Sequence, residues 1–208
     1  VRSTDRIAVV NSADVAVPAE IEVLARWNAG KSDPSAPIQW LLVTFAASAG
    51  ASATSTYRLV VDGSKTNPAP PTAITVTQSG NRVTVDTGVA RFVIDGASNA
   101  LFQEVRAGST IVAGAKPIDG TVENRPVRHS TLRRVAIEHQ GPLSAIVVVE
   151  GAYDFPATGG GGLGSRLRYQ FTAGSPTALV RHSIAFEGDK CGAGNLSCAA
   201  GPNGLLVA

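Results

Sequence analysis

The stretch RLRYQFTAGSPTALVRHSIAFE, residues 166–187, decides the fold class. In its first half Leu167, Tyr169 and Phe171 alternate with Arg166, Arg168 and Gln170. In its second half Val180, His182, Ile184 and Phe186 alternate with Leu179, Arg181, Ser183 and Glu187. A period of two puts successive side chains on opposite faces of a strand. Gly174, Ser175 and Pro176 between the halves supply a turn, so the stretch predicts a hairpin. Arg166, Arg168, Gln170, Arg181 and Ser183 then share one surface. Just upstream, LSAIVVVEGAY (143–153) is apolar on both faces at Ile146 to Val149, as expected of a strand covered on both sides in a sandwich.

The same period runs outward through the chain. Strands are predicted at 6–10, 20–27, 38–46, 56–62, 73–78, 82–86, 89–95, 101–106, 110–113 and 132–139, then at 143–153, 166–173 and 178–187. No amphipathic helix is evident, so the class is all-β. Residues 64–71, SKTNPAPP, are polar and Pro-rich and read as a stiff linker. This divides the chain into a first part at 1–63, a linker at 64–72 and a second part at 73–208. The second part opens with a hairpin, NRVTVDTGVARFVID, whose turn at Thr87-Gly88 uses the glycine's freedom at positive φ. The Gly-rich run 158–164 has no helix after it, which excludes a phosphate-binding loop.

Composition narrows the function. The 208 residues carry 18 Lys plus Arg against 16 Asp plus Glu, 44% apolar residues, two Cys and no Met. The near-balanced charge argues against a partner held by bulk charge, and no aromatics interleave the arginines, so nucleic acid is not expected. No apolar run reaches the roughly 18 residues of a membrane-spanning helix. The Val1 start without Met and the apolar end at Leu205, Leu206 and Val207 lead us to expect a processed start and a second part incomplete at its C-terminus. Cys191 and Cys198, in CGAGNLSC, read as a small disulfide-closed loop in a secreted protein, extracellular or periplasmic; two free thiols are the competing reading.

Catalytic and metal-binding patterns are thin. G-x-S-x-G, H-E-x-x-H and C-x-x-C are all missing, and no metal or cofactor is expected. His182 alternates with Val180 and Ile184 and reads as a hydrogen-bonded core histidine. His129 and His139 flank one strand at opposite ends, a poor start for a metal site. Glu20 and Glu22 share one strand face, but a solvated strand explains them better than a glycosidase pair. Trp27 and Trp40, with Arg26, suit stacking on a sugar ring and holding its carboxylate, whereas the bland alternative puts both indoles in a core. Arg outnumbers Lys by 14 to 4, and the Arg166, Arg168 and Arg181 face suits a planar acid such as an acidic sugar. Its bland alternative is a solvated sheet face.

Three segments, VPAEIEVLARW (17–27), APIQWLLVTFAA (36–47) and STYRLVVDG (55–63), resemble the opening of the large exo-acting rhamnogalacturonan lyases and their relatives. Arg26-Trp27, Trp40, Phe45, Tyr57 and Leu59 match that pattern. VTVDTGVARFVID, GPLSAIVVVEGAY, RLRYQFTAG and ALVRHSIAFEG are similar to the central β-sandwich that follows there. The resemblance covers about Val17 to Gly188 and implies a RIFT-related β-barrel followed by an antiparallel β-sandwich. Two departures matter. An insert from Asn28 to Pro37 replaces the family's Asp-Gly-Ser turn, and no helical region provides the α/α-toroid. The implied chemistry, β-elimination at a uronic acid, needs a base and a cation. Arg181-His182 is the one adjacent pair of suitable type, and neither role falls on it clearly. The expected function is therefore a non-catalytic, β-rich portion of an extracellular polysaccharide lyase-like protein, a scaffold touching acidic carbohydrate. The alternatives are a secreted protein that self-associates by β-strand pairing and a stand-alone carbohydrate-binding module.

Overall fold

The computed structural model describes residues 1–122, 125–154 and 163–186. After a single 3-10 turn (Thr4–Arg6), the first part holds β1 (Ala8–Asn11), β2 (Ala19–Arg26), β3 (Ile38–Phe45) and β4 (Tyr57–Val60). Where a barrel is expected, the described residues form two separate two-stranded antiparallel sheets, β1 with β4 and β2 with β3. An isolated bridge between Val10 and Ala16 links β1 to the lead-in of β2. Ile7 to Val10 and Val60 form the small core of this part. The Pro-rich segment lies along it: Asn67 accepts from Val9 N at 2.9 Å and donates to Ile7 O at 3.1 Å.

The second part is two five-stranded antiparallel meanders. One runs β5 (Thr75–Ser79), β6 (Arg82–Asp86), β7 (Arg91–Asp95), β8 (Glu104–Ala107) and β9 (Thr110–Gly114). The other runs β10 (Asp119–Val122), β11 (Arg125–Gln140), β12 (Ser144–Asp154), β13 (Leu163–Thr172) and β14 (Ala178–Phe186). Their inner faces pack Val83, Val85, Phe92 and Ile94 against Ala145, Val147, Val149, Leu167, Tyr169 and Phe171 in one apolar cluster. Phe92 meets Phe171 at 5.0 Å between ring centroids, and the Tyr169 hydroxyl donates to Leu101 O at 2.8 Å. Burial raises the Tyr169 pKa well above the ordinary tyrosine value. The all-β class holds, and among the described residues there is no α-helix.

Thirteen expected strands correspond to observed ones, and two features differ. β10 has a Gly-containing, polar sequence without alternation, and it forms as the edge strand beside β11. β11 begins at Arg125 rather than at 132. Pro126 is tolerated because it pairs only with β10; β12 ends opposite Arg128.

The two hairpin turns that close the sandwich meet each other. Thr87 is fully buried, and its hydroxyl lies 2.7 Å from Ser175 O and 3.1 Å from Ala90 N. Gly88, at φ 85°, follows it; a Cβ there would fall 1.9 Å from Thr72 Cγ2, so only glycine fits.

Candidate functional site

The 166–187 hairpin forms with Arg166 opposite Ser183, Arg168 opposite Arg181 and Gln170 opposite Leu179. These residues lie on the outer face of the second sheet, away from the apolar cluster. β11 adds to that face through a register slip between Ile137 and His139, which makes Glu138 the extra residue of a bulge. Glu138 spans β12 and receives Arg166 at 2.5 Å and Arg168 Nε at 2.8 Å. Glu150 sits 3.4 Å from Arg166 Nε and 3.7 Å from Arg134 Nε. The result is an ordered lattice of alternating charge. Hydrogen bonding from Arg168, then from Arg166, holds the Glu138 carboxyl below the usual carboxylate range. Val148 lies under this lattice between Ala136 and Arg168 in the register and is fully buried. The second cover over β12 is thus a layer of ion-paired side chains rather than a third sheet, with arginine stems shielding the valine.

The same bulge places His139 at the junction with the first part. Glu20, on β2, is buried and accepts from Ser144 N and Ser144 Oγ, both at 2.7 Å, and from Leu143 N. His139 Nε2 is 3.2 Å from Glu20, and its Nδ1 is 3.3 Å from Glu22. Lys31 completes the row, 2.9 Å from Glu22. A hydrogen bond from that ammonium holds the Glu22 carboxyl below its usual range, with burial pulling the other way. A cleft of about 610 Å³, lined by Lys31, Ser32, His139 and Gln140 among others, opens beside this row. Glu20 works as a clasp: all its bonds go to the 139–144 segment, so it fastens the first part to the sandwich. Sequence reasoning found Glu20 and Glu22 on one strand face but missed their partner.

The remaining predicted residues separate. Arg26 gives its guanidinium to three backbone carbonyls, those of Lys31, Arg2 and Ala36, at 2.7 to 2.9 Å, and so ties down the Asn28–Pro37 insert. Trp27 and Trp40 are 56% and 63% exposed, so neither indole fills a core. The reason is that β2 and β3 form a two-stranded sheet with nothing stacked on that face among the described residues. His182 lies on the inner face as expected, hydrogen-bonded to Tyr153 at 3.1 Å and Ser165 at 3.0 Å, but at an open end of the sheet. Partial burial still holds its pKa below the ordinary histidine value. Cys191 and Cys198 lie outside the described residues, as does the C-terminal segment. Among the described residues no group of three or more His, Cys, Asp or Glu is arranged to hold a metal ion.

Fold and surface together define an all-β protein: an antiparallel β-sandwich carrying an arginine-rich outer face, with a smaller β part clasped to it. The family model described as "PcRGLX-like protein central beta sandwich domain" matches residues 74–193, more than half of the chain. The chain belongs to this rhamnogalacturonan lyase-like family. No curated protein matches it.

Proposed function

We propose that the chain is the non-catalytic, β-rich N-terminal portion of a secreted polysaccharide lyase-like protein, which holds acidic carbohydrate against its sandwich. One observation carries this reading: Arg166, Arg168 and Arg181 lie together on a single exposed sheet face, in a geometry suited to planar acids. The first part at 1–63 is then the RIFT-related barrel, 64–72 its connection, and 73–208 the sandwich, a reading that the family match supports over residues 74–193. Affinity electrophoresis tests the reading. Migration of the chain should slow in a gel containing polygalacturonate and stay unchanged in one containing neutral galactan. Equal migration in both gels defeats it. Robust release of unsaturated product by the chain alone would defeat the non-catalytic part.

A second reading rests on β9, the last strand of its sheet, whose five residues are all exposed, with Ile111 at 53% and Val112 at 60%. An apolar edge that pairs with no further strand among the described residues favours self-association by strand pairing. Sedimentation of the chain at increasing concentration decides between the two. A monomer at every concentration removes the second reading.

A further inference from the structure

Resting on the reading of the outer face as an acidic-carbohydrate surface, we propose that a single carboxylate of the saccharide binds between Arg168 and Arg181, in a site that Glu138 positions. The order of charges across the sheet leads there. Arg134 meets Glu150, Glu150 meets Arg166, Arg166 meets Glu138, and Glu138 meets Arg168. At each step an acid separates two bases. The alternation then breaks, because the neighbour of Arg168 across the ladder is Arg181. Residues directly opposite on antiparallel strands have Cβ atoms about 5 Å apart, and like charges there are unfavourable.

The chain provides no remedy among its described residues. Glu138 engages Arg168 through Nε, which leaves the two terminal nitrogens of that guanidinium without a partner there. Arg181 is exposed, and its side chain has no hydrogen bond or ion pair among the described residues. Two guanidinium forks side by side match the two oxygens of a planar carboxylate. A ligand acid in that position repeats, one strand over, what Glu138 does between Arg166 and Arg168.

The surroundings suit a sugar ring attached to that acid. On one side Leu179 is 53% exposed and offers an apolar surface to C–H groups. On the other side a groove of about 390 Å³ runs over Gly151, Gly164, Ser183 and Ala185, where small side chains leave space beside Arg166. Glu138 is a positioning residue here: by holding Arg168 through one edge it directs the remaining edge toward Arg181.

Nitrogen-proton NMR of the arginine side chains tests the proposal, with trigalacturonate, a neutral trisaccharide and a sulfated trisaccharide as probes at fixed ionic strength. Trigalacturonate should shift the Nε signals of Arg168 and Arg181, and the neutral sugar should not. R181Q should weaken trigalacturonate binding about tenfold or more, and R181K nearly as much, since an ammonium lacks the fork. E138Q should fold normally, lose preference for carboxylate over sulfate, and bind with a steeper salt dependence, because two guanidinium charges are released. An unchanged preference in E138Q overturns its positioning role. Binding by R181Q within twofold of the parent overturns the site, and if polygalacturonate still retards that variant the broader reading survives. A trigalacturonate response confined to Arg168 and Arg181, without retardation by the polymer, supports the site and defeats the broader reading. No response to trigalacturonate overturns the site outright.

Discussion

Replacing Glu20 by alanine should release the first part from the sandwich. The carboxylate is the acceptor for the backbone N–H groups of Leu143 and Ser144 and for the Ser144 hydroxyl. Leu143 and Ser144 are 6% and 8% exposed, so their donors do not reach bulk water easily. An unpaired buried donor costs about 1–3 kcal/mol, and three of them set a ceiling near 9 kcal/mol. The cleft beside Glu20 admits water once the side chain is gone, and the Ser144 hydroxyl can turn to another acceptor. The lower end therefore applies, about 3 kcal/mol, which agrees with the ~3–5 kcal/mol typical of removing one partner of a buried pair. Against a total stability of about 5–15 kcal/mol for a domain, that is a large fraction.

The assay is segment-resolved hydrogen exchange on the 208-residue chain. Trp fluorescence is a poor choice, since both indoles are already exposed. A loss of 3 kcal/mol raises the exchange of β1 and β2 amides by about two powers of ten, while β13 amides, protected by the sandwich core, should change only a few-fold. Glu20→Gln should recover part of the loss, because its amide oxygen still accepts from Leu143 and Ser144. The reasoning is refuted if β1 and β2 exchange as in the parent, or if β13 loosens equally.

Three further outcomes follow from the same contacts. Gly141→Ala places a Cβ 2.4 Å from Glu20 Oε1, so the clasp has to shift; a loss of about 1–3 kcal/mol in urea unfolding is expected, and an unchanged midpoint would show that the approach is not tight. Thr87→Val keeps the shape but removes the hydroxyl between Ser175 O and Ala90 N, and should lower stability by about 1–3 kcal/mol in the same assay. Acid should weaken the fold in two stages. The folded-state pKa of His182 is depressed by burial, so its contribution is present above pH 6.5 and lost as the pH falls. That of Glu22 is depressed chiefly by Lys31, so its contribution is present above pH 4.5 and lost below. Thermal melts across this range should show both limbs, and His182→Gln should remove the upper one.

The strands were legible because their signal is local. Leu167, Tyr169 and Phe171 alternate with charged or polar residues, and their period survives folding as the inner face of β13. The same alternation brought Arg166, Arg168 and Arg181 onto one surface, so two of the three arginines of the lattice could be read as well, while Arg134 could not. Nor could the acidic half of the lattice. Glu138 is the extra residue of a bulge and meets arginines two strands away, and that pairing leaves no mark in the period-two pattern of β11. The clasp was hidden by distance: Glu20 and His139 lie 119 positions apart, and neither carries a local signature. The two tryptophans misled the core reading for another reason. Apolar neighbours on β2 and β3 imply burial only if a second layer covers them, and the number of layers is not written in either strand. β10 was missed because pairing with β11, and no pattern of its own, makes it a strand.

The slip in β11 joins the two sites into one object. In a regular strand adjacent residues face opposite ways, so one of Glu138 and His139 would be driven into the apolar cluster. A buried carboxylate or imidazole among Val147, Val149 and Leu167 would lack partners and destabilise the sandwich. The extra residue lets both side chains avoid the core: Glu138 turns to Arg166 and Arg168, and His139 turns to Glu20 and Glu22. Regular pairing through this point keeps at most one of them outside the core: continued from Ala136 it sends His139 inward, and continued back from Gln140 it sends Glu138 inward. The arginine lattice and the docking of the first part therefore coexist only through the same irregularity.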